Sequence, residues 1–230
     1  DVSIFGISIT NGDALGGEGQ PRYDGGNILA SYSALTLNDV TVSGGTAGER
    51  GGGVAFFGYS GSTAGLTIVD STITGNTAQA DGADYYNPGG GGISVEGATG
   101  VVITDSAVTN NETTYTGDGG GLFVHYIGDG DTVITGSTFT GNVAGAQAGE
   151  LYPGQSYGDD GVPYDADGGA IYVRDDLTLT GTTVALNTAA RHGGGIAVED
   201  NDATVTDSSI SGNTSLQGDG GGAYIDDGDV

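Results

Sequence analysis

Short stretches of alternating hydrophobic and polar residues run along the whole chain. Within one repeat they fall at 171–173 (Ile-Tyr-Val), 177–179 (Leu-Thr-Leu) and 182–184 (Thr-Thr-Val). When the pattern repeats every two residues, successive side chains point to opposite faces of a β-strand, so that one face can be buried. The pattern therefore predicts an all-β chain with three short strands in each repeat.

The alternating stretches recur about every 25 residues. Ile196 lies 25 residues after Ile171 and Val54 lies 26 residues after Ile28, and a glycine pair or triplet stands shortly before each of these positions. A repeat this short cannot bury its apolar side alone and must stack on its neighbours. We therefore predict a right-handed parallel β-helix solenoid of about seven rungs, each rung being one turn, as a single domain over residues 1–230.

Stacking brings equivalent residues of successive rungs to about 4.8 Å from one another. One such column consists of asparagines at a turn, where side-chain amides can hydrogen-bond from rung to rung. We predict that this column forms a structural ladder. Its members are Asn76, Asn111, Asn142, Asn187 and Asn213.

Two tetrapeptides mark the repeats. Residues 168–171 read GGAI and residues 139–142 read FTGN, and most other repeats carry GGGI or have Ile or Val in place of the Phe. With these GGAI and FxxN signatures the chain resembles, over essentially its whole length, the repeats of the polymorphic outer-membrane proteins. In that family the repeats form the adhesive passenger of autotransporters. The resemblance therefore implies an adhesive role and an extracellular or cell-surface location.

Composition and charge exclude several classes of function. The 230 residues include 49 Gly, and 30 Asp plus Glu stand against 4 Lys plus Arg, which gives a net charge of −26. Glycine destabilises helices, and a strongly negative surface repels nucleic acids and anionic lipids. There is no Cys, so disulfides and thiolate sites are excluded, and no apolar run is long enough for membrane insertion. We expect no nucleic-acid partner.

Three insertions, at 13–24, 79–89 and 145–167, lengthen alternate rungs at the same corner. They should therefore lie together on one flank of the solenoid, where insertions of repeat proteins often build the binding face. All four prolines and half of the tyrosines fall within them. We predict that the tyrosines bind surface glycans or host or neighbour-cell proteins, the alternative being that the loops merely cover the side of the solenoid. These residues are Tyr23, Tyr85, Tyr86, Tyr152, Tyr157 and Tyr164.

Carboxylates recur next to the glycine pairs. Asp118, Asp167 and Asp219 occupy one column, and calcium ions take six to eight oxygen ligands in proteins. This column is our candidate calcium site, and no other cofactor is expected. The competing interpretation is that these side chains are solvated charges of a turn.

We assign no catalytic residues, and we expect the chain not to be an enzyme. The chain has few cations, and His125 and Arg174 share an outward column with Glu96 and Glu199 that is typical of a solvated face. Lyase chemistry on a uronate needs a cationic environment, and glycoside hydrolysis needs two carboxylates at a fixed separation. Acidic pairs are too common in this chain to identify the latter.

The predicted function is an extracellular or cell-surface structural and adhesive β-helix: an adhesin, a stalk or a fibre subunit. The chain starts inside one repeat and stops inside another, so we expect a segment of a longer protein, or self-association through the solenoid ends or side loops, with copies stacking into filaments. The alternative is a carbohydrate-binding or polysaccharide-degrading β-helix enzyme. A minor alternative is an ice-binding solenoid, because outward pairs such as Thr72 and Thr74 form two hydroxyl columns.

Overall fold

The structure is a computed structural model and describes residues 1–15, 23–58, 64–79, 89–114, 116–125, 130–145 and 166–226. Over these ranges the regular secondary structure consists of β-strands. Within the same ranges, no helix is long and apolar enough to cross a membrane. Most of each predicted insertion, at 16–22, 80–88 and 146–165, lies outside the described residues.

The strands follow one another in groups of four. The first four groups are β1 (Val2–Phe5), β2 (Ser8–Thr10), β3 (Asp13–Ala14), β4 (Ile28–Ser31), β5 (Leu35–Asn38), β6 (Thr41–Ser43), β7 (Thr46–Ala47), β8 (Val54–Phe57), β9 (Leu66–Val69), β10 (Thr72–Thr74), β11 (Thr77–Ala78), β12 (Ile93–Glu96), β13 (Val101–Thr104), β14 (Ala107–Thr109), β15 (Glu112–Thr113) and β16 (Leu122–His125). The last three are β17 (Thr132–Thr135), β18 (Thr138–Thr140), β19 (Val143–Ala144), β20 (Ile171–Val173), β21 (Leu177–Thr180), β22 (Thr183–Ala185), β23 (Thr188–Ala189), β24 (Ile196–Glu199), β25 (Ala203–Thr206), β26 (Ser209–Ser211), β27 (Thr214–Ser215) and β28 (Ala223–Asp226).

Every fourth strand joins the same sheet, which gives four parallel sheets of seven strands. The first sheet begins with β1, the second with β2, the third with β3 and the fourth with β4. Pairing is in register with the repeat, as where Ile171 of β20 pairs with Leu122 of β16 and with Ile196 of β24. The described residues therefore form a parallel β-helix of seven rungs, which confirms the predicted fold class.

Each rung holds one strand more than the sequence predicts. The additional strand has two residues, as in β7 and β11, and the equivalent strands of all seven rungs form the third sheet. Two residues are too few to display an alternating pattern, and this strand exists because it pairs with its equivalents in the neighbouring rungs. The predicted insertion 13–24 correspondingly begins with a strand, β3.

The core is a stack of inward-facing aliphatic side chains. In the first sheet Leu37, Ile68, Ile103, Ile134 and Leu179 follow one another on consecutive strands, and all are fully buried. Burial of each such side chain stabilises the fold by about 1.5–3 kcal/mol. Because a single rung has no other apolar surface to cover these side chains, the stability of each rung depends on its neighbours.

A buried hydroxyl column lines the corner between the first and second sheets. The Ser71 hydroxyl accepts the N–H of Val40 (3.1 Å) and donates to the carbonyl oxygen of Val69 (2.7 Å). The Ser106 hydroxyl in turn accepts the N–H of Ser71 (3.0 Å). This corner therefore keeps its buried backbone groups paired, as a packed interior requires.

One turn position between the second and third sheets carries an unfavourable residue. Leu186 has a φ of 58°, whereas equivalent rungs place Asn11, Gly44, Asn110 or Gly141 at a similar positive φ. In this left-handed region the Cβ of an ordinary residue crowds the following carbonyl oxygen, at a cost of about 1–2 kcal/mol. Asparagine tolerates the region because its short polar side chain bonds locally.

We expect Leu186→Asn to raise the free energy of unfolding by about 1 kcal/mol, because it relieves this strain. Chemical denaturation measures the change. Leu216→Asn is the matched control, since Leu216 is similarly exposed (65% against 67%) and is not among the residues with positive φ. Equal effects of the two substitutions would mean that removal of an exposed apolar side chain, rather than backbone strain, causes the stabilisation.

Candidate functional site

The structure brings the five predicted asparagines together as a continuous ladder. The Nδ2 of Asn76 donates to Oδ1 of Asn111 (2.9 Å), Asn111 donates to Asn142 (3.1 Å), Asn142 to Asn187 (3.0 Å) and Asn187 to Asn213 (2.9 Å). The first four side chains are fully buried. We refer to these five residues as the asparagine ladder.

Each interior member of the ladder uses its whole hydrogen-bonding capacity. The Oδ1 of Asn111 accepts both the backbone N–H and the side-chain Nδ2 of Asn76. Its Nδ2 donates to the carbonyl oxygen of Ile73 (3.0 Å) and to Oδ1 of Asn142. Two donors and two acceptor positions are all that a primary amide offers, so no other polar side chain of this size could replace it without loss.

Asn27 extends the ladder and is the member that the sequence pattern missed. Its Nδ2 donates to Oδ1 of Asn76 (3.1 Å), and its Oδ1 accepts the N–H of Gly12 (2.8 Å). Gly12 and Gly45 occupy the ladder position in the first two rungs, so Asn27 reaches across from the opposite glycine corner. The sequence does contain a signal for this contact: Asn27 stands where most rungs have Gly, whereas Gly12 and Gly45 stand where most rungs have Asn.

A second column of polar side chains, the corner column, links rungs just before the fourth sheet. Asp118 Oδ1 accepts the backbone N–H groups of Ala166 and Asp167, both at 2.8 Å. Asp167 Oδ1 accepts the N–H of His192 (2.6 Å), and Nδ1 of His192 accepts the N–H of Asp219 (2.8 Å). Each side chain of this series thus holds the backbone of the next rung.

The predicted calcium residues Asp118, Asp167 and Asp219 belong to this corner column. The rung of His192 lies between Asp167 and Asp219. Over the described ranges, no group of three or more Asp, Glu or His side chains is arranged to hold a metal ion. The carboxylates of Asp118 and Asp167 instead accept backbone N–H groups, and Arg191 Nη1 lies 3.6 Å from Asp167 Oδ2.

The outward face of the fourth sheet carries ion pairs between rungs. Arg50 Nη1 lies 2.7 Å from Glu96 Oε2, and the Arg50 side chain is only 17% exposed. Arg174 lies 3.4 Å from Glu199 through Nε and 3.6 Å from Asp200 through Nη2. The charged side chains of this partly exposed face therefore pair with each other between rungs.

All Arg and His residues that the structure describes lie on the fourth sheet or at the corner that leads into it. The fourth sheet and this corner therefore carry charges of both signs, whereas the strands of the first and second sheets contain no Asp, Glu, Lys or Arg. The cations therefore neutralise part of an otherwise acidic surface. These residues are Arg50, His125, Arg174, Arg191 and His192.

Aromatic rings stack along the same face. Phe123 and Tyr172, on adjacent strands β16 and β20, have centroids 5.4 Å apart and nearly parallel planes, and with Ala197 they form a second buried apolar cluster. The Tyr172 hydroxyl donates to Glu199 Oε2 (2.7 Å). Burial raises the pKa of Tyr172 above its usual range. This phenol is therefore a permanent hydrogen-bond donor rather than an acid–base group.

His125 is the one histidine on a strand of the fourth sheet. Its Nε2 lies 3.4 Å from Nη1 of Arg174, and its ring lies 5.9 Å from that of Phe123. Burial, together with the positive charges of Arg174 and Arg50, lowers the pKa of His125 to about 4. The imidazole is therefore neutral at physiological pH, and its Nε2 accepts a hydrogen bond from the guanidinium group.

The second sheet presents the predicted hydroxyl columns. Thr72 and Thr74 of β10 stand in register with Ala107 and Thr109 of β14, and the two hydroxyl oxygens of Thr74 and Thr109 are 2.9 Å apart. None of the seven strands of this sheet contains a charged residue. Alanines at 107 and 185 interrupt the columns.

Of the six tyrosines that we predicted to bind a partner, the structure describes Tyr23. It is half exposed, and its carbonyl oxygen accepts the N–H of Gly48 (2.9 Å), which ties it to the next rung. The other five lie outside the described residues: Tyr85, Tyr86, Tyr152, Tyr157 and Tyr164.

Comparison with known proteins bears on the family. No curated protein and no solved structure matches the chain. A family model described as the right-handed β-helix region matches residues 5–230. This match covers nearly the whole chain and agrees with the four parallel sheets and seven rungs described above. The chain belongs to the right-handed β-helix family.

Proposed function

We propose that the protein is an extracellular or cell-surface β-helix with a structural and adhesive role: an adhesin, stalk or fibre subunit that binds a partner and converts no substrate. The observation that carries this proposal is that the side chains best suited to acid–base chemistry form contacts between rungs. Asp118 and Asp167 accept backbone N–H groups, and Glu199 accepts the Tyr172 hydroxyl and faces Arg174. These polar groups thus serve the scaffold.

The distribution of charge supports an adhesive role. A net charge of −26 keeps copies of the chain hydrated and apart from polyanions, whereas the first and second sheets offer uncharged faces. The proposed partners are surface glycans or host or neighbour-cell proteins, and the chain itself where its ends or side loops meet another copy. The GGAI and FxxN signatures favour the finer proposal of a passenger similar to those of the polymorphic outer-membrane autotransporters.

A deletion of residues 146–165 tests the proposed contact flank. This deletion shortens the distance along the chain from Asn142 to Ile171 from 29 to 9 residues, which equals the spacing from Asn187 to Ile196 in a rung without an insertion. Asp167 and its bond to His192 are retained. We therefore expect adhesion to cells or to immobilised glycans to be lost while the thermal unfolding transition persists.

Binding of protein-coated beads to the cells or glycans measures adhesion, and circular dichroism during heating measures the thermal unfolding transition. A second variant deletes residues 80–88, which removes Tyr85 and Tyr86 while leaving the larger insertion in place, and tests whether the smaller insertion contributes. Undiminished adhesion of both variants would remove the insertions from the proposal.

The second candidate is a carbohydrate-binding or polysaccharide-degrading β-helix. It is favoured by His192 and Tyr224, whose partly exposed rings stack on each other beside the fourth sheet, because accessible aromatic rings with a polar end can pack on sugars and hydrogen-bond to them. Incubation with a neutral polysaccharide and with a polyuronate, followed by measurement of chain length, separates the candidates. Shortened polysaccharide chains would replace the adhesive proposal with the enzymatic one.

A further inference from the structure

The corner column contains one acceptor that is not a carboxylate. In the fourth and fifth rungs Asp118 and Asp167 accept the backbone N–H of the next rung through a carboxylate oxygen. In the sixth rung the acceptor is Nδ1 of His192, which accepts the backbone N–H of Asp219 (2.8 Å). A carboxylate remains an acceptor down to acid pH, whereas an imidazole nitrogen accepts a hydrogen bond only while it is unprotonated.

The His192 ring is held so that a change in its protonation acts on this bond. It stacks on Tyr224 of β28, with centroids 4.4 Å apart and planes 20° apart. Its backbone N–H is fixed by Asp167 Oδ1. Because the ring and the backbone are both constrained, Nδ1 stays opposite the N–H of Asp219, and a proton on Nδ1 would place two donors against each other.

We propose that His192 is a pH-sensitive link between the sixth and seventh rungs: it holds the N–H of Asp219 at neutral pH and releases it when the imidazole is protonated. The Asp219 backbone then keeps one bond to the sixth rung, because its carbonyl oxygen still accepts the N–H of Gly193 (3.0 Å). The third and fourth sheets continue across this boundary through β23–β27 and β24–β28, so the helix stays intact while the corner loosens.

The direction of the effect follows from which form makes the bond. Only the neutral form of an imidazole accepts the N–H. The bond is therefore present while His192 is neutral and is lost when a fall in pH protonates the ring. Asp167, Asp219 and Tyr224 contact His192 directly, and Arg191 lies beside it in the chain and faces Asp167. Glu199 and Asp226 act on the phenol of Tyr224, on which the ring stacks.

Hydrogen exchange of the intact chain, followed by NMR at pH 5 to 8, tests the proposal. We expect the protection factor of the Asp219 amide to fall about fivefold as the His192 ring titrates, which corresponds to loss of one hydrogen bond. The Ala166 and Asp167 amides, which both donate to the Asp118 carboxylate at the boundary between the fourth and fifth rungs, serve as internal references. Protection factors rather than raw rates are compared, because the intrinsic exchange rate itself depends on pH.

Two variants separate the link from a general effect of acid. His192→Asn keeps an acceptor oxygen that does not titrate, so Asp219 should remain protected at pH 5. His125→Asn is the matched control and should behave as the unmodified chain, because the pKa of His125 is already lowered to about 4. Constant protection of Asp219 while the His192 resonances titrate would overturn the proposal, as would the same loss of protection in His192→Asn.

Discussion

Replacing Asn142 by alanine should lower the free energy of unfolding by about 3 kcal/mol or more. The Asn142 amide lies in the middle of the ladder and is fully buried. Its loss leaves the backbone N–H of Asn111 without its acceptor, removes one acceptor from Nδ2 of Asn111, and removes a donor from Oδ1 of Asn187. Each buried unsatisfied group costs about 1–3 kcal/mol.

Urea denaturation followed by circular dichroism measures this effect. Asn38→Ala is the matched control, because Asn38 ends β5 on the outward side of the first sheet and is only half buried. Asn142→Asp provides a second comparison: the side chain keeps its shape but loses both donors and gains a buried charge, so it should be at least as destabilising as alanine. A loss below about 1 kcal/mol for both Asn142 variants would show that water or backbone movement replaces the ladder.

The repeat was predictable because residues that stack on each other in successive rungs have the same environment and therefore similar side chains. Alternation gave the strands of the first, second and fourth sheets, and the spacing gave the number of rungs. The third sheet could not be read from alternation, since strands such as β7 contain two residues. Such a strand is defined by its partners in neighbouring rungs rather than by its own sequence.

The roles of charged side chains were harder to predict than their positions. The corner aspartates were correctly grouped in one column, but their partners are backbone N–H groups, which a side-chain pattern does not display. Likewise, Arg50 and Glu96 lie in different columns and different rungs, 46 residues apart, so their 2.7 Å contact depends on how a long side chain crosses the sheet. Aligning the repeats in columns shows which residues stack on each other, but it does not show contacts between residues of different columns.

Asn27 shows how two departures from a repeat can compensate each other. A Cβ added to Gly45 would lie 2.4 Å from Nδ2 of Asn27 and 2.2 Å from the carbonyl oxygen of Gly52. The ladder position of the second rung is therefore closed to a side chain while Asn27 occupies the space. Because Asn27 supplies the amide that Gly45 lacks, the two positions should be energetically coupled.

A double-mutant cycle of Asn27→Gly and Gly45→Asn tests this coupling. Asn27→Gly should lower the free energy of unfolding by about 2 kcal/mol, because the N–H of Gly12 and the carbonyl oxygen of Ser43 lose their partners. Gly45→Asn alone should lower the free energy of unfolding more than Asn27→Gly does, since its Cβ would clash with Nδ2 of Asn27 and with the carbonyl oxygen of Gly52. In the double variant the new amide enters the vacated space and can donate to Asn76, so the combined loss should be smaller than the sum by about 1–3 kcal/mol. Losses that simply add would mean that the Gly52 carbonyl, rather than Asn27, keeps residue 45 a glycine, and that the exchange between the two corners is not a compensation.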